Sequence, residues 1–341
     1  MNKYVTFGEI MLRLKSPSNE RLFQSPGLEA TFGGGEGNVA VSLSRFGEEA
    51  HFITALPDND LGMHCTEEIR KHGVLTDGVK YVKDSRLGIY YLETGSCQRP
   101  SKVVYDRAYS AFSETTGYDF DEVMKGATWF HISGISPAVS QIAADESLRA
   151  MKAAKAAGAT VSIDLNYRKK LWKYGKDTVT VMRELTRYAD VIIANEEDIQ
   201  KCLGIASDSD VTSGELDVSS YEKLADEVKK QFSNVSTVAI TLRESQSANH
   251  NDWSAVISGK TGFYHSKKYE IKNIVDRVGG GDSFSAGIIY GLTHYENEET
   301  ALNFAVAASA LKHTIPGDFN LTSLSEVESL MGGDGSGRVQ R

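Results

Sequence analysis

The chain has 341 residues, of which 40% are hydrophobic and 24% charged, and its formal net charge is −9. These values are typical of a soluble folded protein, exclude a disordered or fibrous chain, and leave no broad basic surface for a nucleic acid. The apolar runs are far shorter than the roughly 20 residues of a membrane helix, and the N-terminus MNKYVTFGEI lacks the apolar core of a signal peptide. We therefore expect a cytoplasmic protein with no nucleic-acid or membrane partner.

Short β-rich runs alternate with helical patterns along the chain. The predicted strands cover residues 4–9, 50–55, 128–133, 159–164, 190–194 and 237–242. Between them, 146–157 and 179–188 show the spacing of amphipathic helices, and the acidic, serine-rich stretch 207–219 is predicted to be a loop. Repeated strand and helix units indicate a mostly parallel sheet with helices on both faces, which binds ligands beyond the carboxyl ends of its strands. We predict one α/β domain over 1–330 and a flexible tail at 331–341.

Two segments, about 11–32 and 85–113, break this rhythm with alternating and aromatic-rich patterns. We interpret them as strands of a small β lid inserted into the α/β body. The alternative is a pair of surface hairpins with no part in binding. Exposed strand edges and the side chains of Tyr90, Tyr91 and Tyr105 favour burial between subunits, which predicts a homodimer or higher homo-oligomer formed through the lid.

A first glycine cluster, Gly33-Gly-Gly-Glu-Gly-Asn38, precedes a helical pattern at 39–46 that Gly47 ends. Glycines let a ligand approach the backbone closely, and the Asn38 amide can hydrogen-bond to it. On its own the cluster also fits the tight start of a helix. It is not a Walker A loop, since no Gly-Lys-Ser/Thr follows, and it lacks the G-x-G-x-x-G dinucleotide fingerprint.

A second cluster, Gly279-Gly-Gly-Asp282, runs into a helical pattern at 283–292. Backbone N–H groups at such a helix start, together with the helix dipole, form a site for an anion. The alternative for Asp282 is a simple N-cap, but capping does not require three glycines, each of which costs conformational entropy on folding. A carboxylate beside an anion cradle suits phosphoryl transfer, with the carboxylate as the base that activates a substrate hydroxyl.

In this order, GGGEGN near the N-terminus and DRVGGGD near the C-terminus resemble the two signature motifs of the ribokinase-like, or PfkB, family of carbohydrate kinases. Arg277 stands where the family usually has threonine, and Gly280 where it has alanine. The resemblance spans nearly the whole chain and implies a ribokinase-like α/β fold with a small β lid. It also implies Asp282 as the catalytic base, Gly279 to Gly281 as the anion hole, and ATP with Mg²⁺ as the phosphoryl donor. It leaves open whether a monovalent cation such as K⁺ is also required.

The family's Asn-x-x-Glu motif, which is tied to magnesium and phosphate, corresponds here to Asn195-Glu-Glu-Asp198. The resemblance implies an indirect role of this position in holding the metal, and Asp198, one methylene shorter than the usual glutamate, carries that implication less firmly than Asn195. The three cysteines form no Cys-x-x-Cys pair, so they indicate neither a disulfide framework nor a zinc site. No residue is therefore predicted to be a direct metal ligand.

The nucleotide loop of the family corresponds to Thr241 and Arg243, where relatives usually have Thr-x-Gly. Arg243 and the long polar stretch 244–252 depart from that pattern. By their position, Asn303 and Ala307 are expected to form an adenine-side wall. The alternative for both is plain helix surface or core.

Two arginines indicate the class of substrate. Tyr105-Asp-Arg107 in the lid and Asp164-Leu-Asn-Tyr-Arg168 after a core strand look like the substrate-acid contacts of 2-keto-3-deoxygluconate kinases, and Tyr90 resembles their lid tyrosine. Two guanidinium groups suit a carboxylate, whereas a neutral sugar needs none. The alternatives are surface salt bridges or, for Arg168, a contact with an ATP phosphate.

The predicted acceptor is therefore 2-dehydro-3-deoxy-D-gluconate, phosphorylated at its terminal hydroxyl to the 6-phosphate. The predicted substrate contacts are Gly34, Gly35, Asn38, Tyr90, Tyr105, Arg107, Arg168 and Asp282. The predicted ATP contacts are Asn166, Arg168, Asn195, Thr241, Arg243, Gly279, Gly281, Asn303 and Ala307.

Three other functions are consistent with parts of the sequence. A fructokinase or ribokinase type of enzyme would act on a neutral sugar with the same Asp282. An NAD(P)-linked oxidoreductase would require the dinucleotide fingerprint after the first strand, and Phe7-Gly8-Glu9 does not supply it. A catalytically silent sugar-binding protein is a third alternative, which the presence of Asp282 disfavours.

Overall fold

The computed structural model describes residues 2–206, 218–335 and 337. The strands are β1 Lys3–Phe7, β2 Met11–Lys15, β3 Glu29–Gly33, β4 Glu49–Pro57, β5 Val79–Val82, β6 Ile89–Glu93, β7 Lys102–Asp106, β8 Trp129–Ser133, β9 Thr160–Asp164, β10 Val191–Ala194, β11 Thr237–Ser247, β12 His250–Ser258, β13 Phe263–His265 and β14 Tyr269–Ile271. The helices are α1 Gly35–Arg45, α2 Asp60–Lys71, α3 Ala111–Glu114, α4 Phe120–Val123, α5 Ile135–Val139, α6 Gln141–Ala156, α7 Thr178–Thr186, α8 Glu196–Leu203, α9 Val218–Gln231, α10 Gly280–His294, α11 Glu298–Lys312 and α12 Leu324–Met331.

The large sheet has the strand order β13-β12-β11-β10-β9-β8-β1-β4-β5, and β14 pairs with β12. Each neighbouring pair from β11 to β5 is parallel. β12 runs antiparallel to β11, β13 and β14. The six predicted strands all lie in the parallel region, which confirms the mostly parallel sheet and brings their carboxyl ends to one edge.

Helices cover both faces of this sheet. On β10, Ile192 packs into one apolar cluster while Val191 and Ile193 pack into the other. Successive side chains of a strand point to opposite faces, so a strand that is apolar throughout is buried on both sides. Side chains of α6 to α9 complete the first cluster, and those of α1, α2, α10 and α11 complete the second.

The lid is a separate sheet with the strand order β3-β2-β6-β7, built from the two segments that the sequence assigned to it. Met11 and Tyr90 form its inner face, against which Tyr105 packs. Because side chains alternate along a strand, Tyr91 and its cross-strand neighbour Val104 lie on the outer face. Of the three tyrosines expected at a contact between subunits, only Tyr91 is therefore on the surface that a second copy could reach.

The sequence placed the polar stretch 244–252 in a nucleotide loop, but in the structure this stretch belongs to a β-hairpin. β11 continues to Ser247 and turns into β12, with Glu244 opposite Asp252 in the register. Side chains near this turn are half-buried or exposed, so polar residues cost little on either face of the hairpin. Periodicity in hydrophobic residues could not reveal a strand that extends into solvent.

Two predicted irregular segments fall partly outside the described residues. Residues 207–217 of the acidic stretch lie outside the described residues. Since α9 begins at Val218, the last two residues of the predicted loop are helical. In the predicted tail, Met331 still belongs to α12, while 336 and 338–341 are not described. No helix in the described part of the chain is both long and apolar enough to cross a membrane.

Candidate active site

The second glycine cluster forms the start of α10. Gly279 occupies the N-cap position with a left-handed φ of 83°, a conformation that favours glycine, and no side chain caps this helix. Asp282 is the third residue of the helix, so the N-cap alternative is wrong. N–H groups of a first helical turn precede the internal hydrogen-bond ladder. Those of Gly281 and Asp282 are therefore available to an anion.

The three glycines do not contribute equally to this site. Gly280 faces inward: its N–H donates to the Arg277 carbonyl at 3.3 Å, and its own carbonyl accepts from Ser309 Oγ at 2.7 Å. A Cβ on Gly280 would lie 2.7 Å from the His313 ring, so no side chain fits there. Gly279 and Gly281 line the cleft and Gly280 does not. Gly279 and Gly281 therefore remain predicted members of the anion hole, Gly280 shapes the turn, and the Asp282 amide is a further candidate donor.

Asp282 is held by the first glycine cluster. Asn38 Nδ2 donates to Asp282 Oδ2 at 2.6 Å, and Asn38 Oδ1 accepts from the Gly34 N–H at 3.2 Å. Asp282 Oδ1 lies 3.6 Å from the place where a Cβ of Gly35 would be. Asn38, predicted to contact substrate, is therefore engaged with Asp282 and fixes the orientation of that carboxylate.

The pKa of Asp282 is raised from 3.8 to about 6, mainly by burial, and the hydrogen bond from Asn38 opposes this rise. A base with a pKa near 6 is ionised at neutral pH, yet it binds a proton more strongly than an ordinary aspartate does. A carboxylate with such a pKa is suited to accept a proton near neutral pH.

A cleft of about 1380 Å³ extends from the lid to the carboxyl ends of the parallel strands. It is the place where most of the predicted side chains meet. Those that line it are Gly34, Gly35, Asn38, Tyr90, Tyr105, Arg107, Asn166, Arg168, Asn195, Asp198, Thr241, Arg243, Gly279, Gly281 and Asp282.

Asn303 and Ala307 are not brought to the cleft. Asn303 accepts a hydrogen bond from the Lys267 N–H at 2.9 Å, and its amide donates to the Glu299 carbonyl. Ala307 is fully buried in the apolar cluster between α11 and the sheet. Asn303 therefore lies on the helix surface and Ala307 in the core, as the alternative for both residues states. The reason is that α11 packs against α10 away from the cleft.

The lid arginine is paired inside the protein. Arg107 is buried, and its Nε and Nη2 both bind Glu9 Oε2, at 2.7 and 2.5 Å. Its guanidinium also lies over the Tyr105 ring, 5.7 Å from the centroid. Arg107, predicted to contact a substrate carboxylate, is therefore already paired with a carboxylate of the protein, although it still lines the cleft.

The lid tyrosine also has an internal partner. Tyr90 is buried, and its hydroxyl lies 2.7 Å from both carboxylate oxygens of Asp318. The same carboxylate accepts from Arg13, a buried side chain on β2 that also pairs with Asp276. The Tyr90 hydroxyl thus ties the lid to the loop after α11, and Tyr90 also lines the cleft, where it was predicted to contact substrate.

The Asn-x-x-Asp segment caps a helix. Asn195 Oδ1 accepts from the Asp198 N–H at 2.8 Å, and Asp198 Oδ2 accepts from the Asn195 N–H at 3.2 Å. Asp198 Oδ1 also accepts from the Tyr167 N–H at 2.9 Å, which fixes the turn after β9. Asp164 lies near this turn, and its pKa is raised by burial and by the neighbouring carboxylates of Asp198 and Asp282.

Three arginines gather in the cleft. Burial and the charge of Arg168 lower the pKa of Arg243, while burial and the charge of Arg243 lower the pKa of Arg277. Arg277 Nη2 donates to Asn251 at 3.3 Å, but its Nε is buried without a hydrogen-bond partner. Like charges placed together in this way suit a ligand that carries several negative charges.

Residues 1–322 match the model of the pfkB family carbohydrate kinases. The chain belongs to this family. It is therefore a carbohydrate kinase, and ATP is the phosphoryl donor expected of such an enzyme.

Several relatives cover nearly the whole PfkB kinase chain. A 2-dehydro-3-deoxygalactonokinase of Haloferax volcanii is 35% identical over 98% of both chains. A 2-dehydro-3-deoxygluconokinase of Bacillus subtilis is 27% identical over 93% of this chain and 91% of the relative. The crystal structure of a 2-dehydro-3-deoxygluconokinase from Thermotoga maritima superimposes with a TM-score of 0.92 at 46% identity, covering 98% of this chain and all of that one.

No contact role was predicted from the sequence for three residues that line the cleft of this PfkB kinase. Arg277 was noticed only as a departure from the family motif, although an unexpected charge in a glycine-rich loop is itself a signal. Glu9 and Asp164 lie at or just beyond the carboxyl ends of β1 and β9, and both line the cleft. Position at that edge of a parallel sheet could have identified both.

Proposed function

We propose that this kinase transfers the γ-phosphoryl group of ATP to the terminal hydroxyl of 2-dehydro-3-deoxy-D-gluconate and forms the 6-phosphate. The observation that carries the proposal is a single cleft that joins Asp282, at a helix N-terminus, to arginines on the lid and at the sheet edge. Relatives named for the gluconate and the galactonate derivatives support the same class of 2-keto-3-deoxy acids.

Asp282 acts as the general base. The substrate hydroxyl gives its proton to Oδ1, the oxygen that Asn38 leaves toward the cleft, as the hydroxyl oxygen attacks the γ-phosphorus. The new oxygen–phosphorus bond forms, the bond to the bridging oxygen breaks, and ADP leaves with that oxygen. The Gly281 and Asp282 amides donate to the transferring group, and one such donor contributes roughly 10²–10³ in rate.

Arg168, Arg243 and Arg277 are assigned to the triphosphate. Each lines the cleft, and in the free protein Arg243 lies close enough to both others for their charges to interact unfavourably. A bound triphosphate converts this repulsion into charge-assisted hydrogen bonds. Arg168, predicted to contact both substrate and ATP, is here assigned to ATP, and Arg277 is added as a further ATP contact.

The carboxylates at the ends of β9 and β10 fit a bound Mg²⁺. Asp164 and Asp198 interact unfavourably in the free protein, and oxygen ligands suit this cation. Because both oxygens of Asp198 already accept backbone hydrogen bonds, Asp164 is the stronger candidate for a direct contact. Mg²⁺ would supply charge neutralisation on the phosphate oxygens.

The acid group of the substrate is assigned to Arg107. Glu9 takes the Nε and Nη2 side of the guanidinium with one oxygen, which leaves the N–H groups at the Nη1 end for a second carboxylate. Glu9 thereby fixes the orientation of the guanidinium. A guanidinium held in advance loses less side-chain entropy when the ligand binds.

The test is a substrate panel assayed with MgATP on wild type and on Arg107→Ala. Loss of a charge-assisted hydrogen bond of roughly 1.5–3 kcal/mol predicts a KM for the acid about 10- to 100-fold higher. Arg99→Ala is the matched control, because Arg99 is a lid arginine paired with Glu93 outside the cleft. An unchanged preference between acid and neutral sugars in Arg107→Ala would remove the acid assignment.

The same panel separates the candidate acids. 2-Dehydro-3-deoxygluconate and 2-dehydro-3-deoxygalactonate differ only in configuration at C4, so a direct comparison of kcat/KM decides between them. Turnover of fructose or ribose above both acids would instead favour a neutral-sugar kinase. Absence of turnover with every acceptor, despite ATP binding, would favour the catalytically silent alternative.

A further inference from the structure

A lysine ammonium lies directly behind the anion hole. Lys312, the last residue of α11, is fully buried. Its Nζ donates to the backbone carbonyls of Ile315 at 3.1 Å and Asp276 at 3.4 Å. A Cβ on Gly279 would meet Lys312 Cε at 3.3 Å, so the lysine stem also packs against the glycine-rich turn.

The two carbonyl oxygens belong to the segments that flank the turn. Asp276 begins the segment that leads into Gly279, and Ile315 precedes the loop that carries Asp318. The Asp318 carbonyl itself would lie 2.0 Å from a Cβ on Gly279, so this loop touches the turn. The ammonium therefore bridges both segments from below.

Charged groups surround this lysine. Burial lowers the pKa of Lys312 and the carboxylates of Asp276 and Asp318 oppose that effect, while Arg13 adds to it and Asp282 opposes it weakly. Arg13 and Lys312 together balance Asp276 and Asp318, so a charged ammonium is compensated within the cluster. The net charge of these four buried groups is zero.

A buried position faced by backbone carbonyls is also what a monovalent metal ion prefers, since carbonyl oxygens can replace its hydration shell. Here the Nζ of Lys312 already takes that position. The sequence left a K⁺ requirement open, and the residues present do not fit one at this place.

We propose that the Lys312 ammonium is the built-in cation of the anion hole, and that this kinase consequently requires no monovalent metal ion. Lys312 is a positioning residue: it holds the segments on both sides of Gly279 and adds positive charge behind the amides that receive the phosphoryl group. The role concerns phosphoryl transfer itself, so it does not depend on which sugar acid is the acceptor.

The experiment compares wild type, Lys312→Met and Lys312→Ser in buffers of K⁺ or of tetramethylammonium at equal ionic strength. Wild type is expected to show the same kcat in both within a factor of two. Lys312→Met keeps the stem but not the charge, and kcat should fall about tenfold, less than the roughly 10²–10³ for loss of a direct oxyanion donor, with little change in the KM for the acceptor. Lys312→Ser opens space between the carbonyls, so K⁺ should restore part of its kcat.

A second measurement does not require turnover. K⁺ should raise the melting temperature of Lys312→Ser but not that of wild type, because only the variant has an open site. Lys229 provides the matched control, since its Nζ also donates to a backbone carbonyl, that of Gly259, away from the cleft. Lys229→Met should show neither the kcat loss nor a K⁺ response.

Two results would overturn the proposal. One is a severalfold activation of wild type by K⁺, and the other is a folded Lys312→Met variant with wild-type kcat. If wild type phosphorylates none of the acids, the proposed substrate fails, but the response of the Lys312→Ser melting temperature to K⁺ still tests the cation site.

Discussion

Replacement of Asp282 by asparagine should lower activity and raise stability at the same time. Folding raises the pKa of this carboxyl from 3.8 to about 6, chiefly through burial. Between those values the folded state binds more protons than the unfolded state, so stability falls as the pH rises through this window. Above about pH 6 the buried charge opposes folding, and below about pH 4 the cost has largely gone.

The size of the effect follows from the same shift. A difference of about two pH units corresponds to about 3 kcal/mol at roughly 1.36 kcal/mol per unit. Because Asp282 is partly open to the cleft, solvent screening should reduce this to about 1–2 kcal/mol. For a chain of this length the entropy of unfolding converts such a gain into a melting temperature about 1–3 °C higher.

Activity should move the other way. The asparagine amide keeps the shape and can still accept from Asn38, but it cannot take up the hydroxyl proton, so turnover should fall by a factor on the order of 10²–10⁴. In wild type, kcat/KM should decline about tenfold per pH unit below about pH 6, as the base becomes protonated.

The assays are ADP release and thermal unfolding, each measured at about pH 8 and about pH 4.5, where the folded carboxyl is ionised and protonated respectively. Glu184→Gln, an exposed carboxylate on α7, serves as the control for the general loss of one negative charge. Turnover of Asp282→Asn within a factor of two of wild type would place the base elsewhere. A gain in melting temperature that is equal at both pH values would refute burial as the cause of the raised pKa.

Three further changes test other parts of the site. Asn38→Ala removes a hydrogen bond that lowers the pKa of Asp282, so the acid limb of the pH profile should move above about pH 6 and kcat should fall; an unmoved limb would contradict the positioning role. Arg13→Met leaves two buried carboxylates with Lys312 as their nearby cation and without their ion pairs to Arg13, which should cost roughly 3–5 kcal/mol in thermal unfolding, whereas a loss below about 1 kcal/mol would show that the cluster relaxes. Tyr91→Arg places a charge on the outer face of the lid and should convert the predicted homodimer to a monomer in sedimentation. A monomeric wild type would contradict this prediction.

The sequence predicted well those features that are local in the chain. Val191, Ile192 and Ile193 form an apolar run that only a strand buried on both faces satisfies. The run of glycines before Asp282 likewise indicates a backbone conformation that other residues rarely adopt. Gly279, at the start of α10, has such a left-handed conformation. Both signals are complete within about ten residues, so no knowledge of the tertiary partners was required.

The arginines were assigned less accurately, because a guanidinium acts through a partner that the sequence does not locate. Arg107 and Glu9 are 98 positions apart in the chain, and their pairing follows only from the way the lid folds over the end of β1. Arg13 lies on the same buried face of β2 as Met11, but its charge gave no indication that this position is buried. Its burial between two aspartates results from the closure of the lid over the C-terminal segments.

Buried charged and polar groups join the closed lid to the loop beside the anion hole. Arg13 and Tyr90 belong to the lid, and both donate to the carboxylate of Asp318. Asp318 belongs to the loop that touches Gly279. A displacement of the lid would therefore strip Asp318 of two donors and leave a buried negative charge beside the anion hole. We expect such a charge to oppose binding of phosphate there.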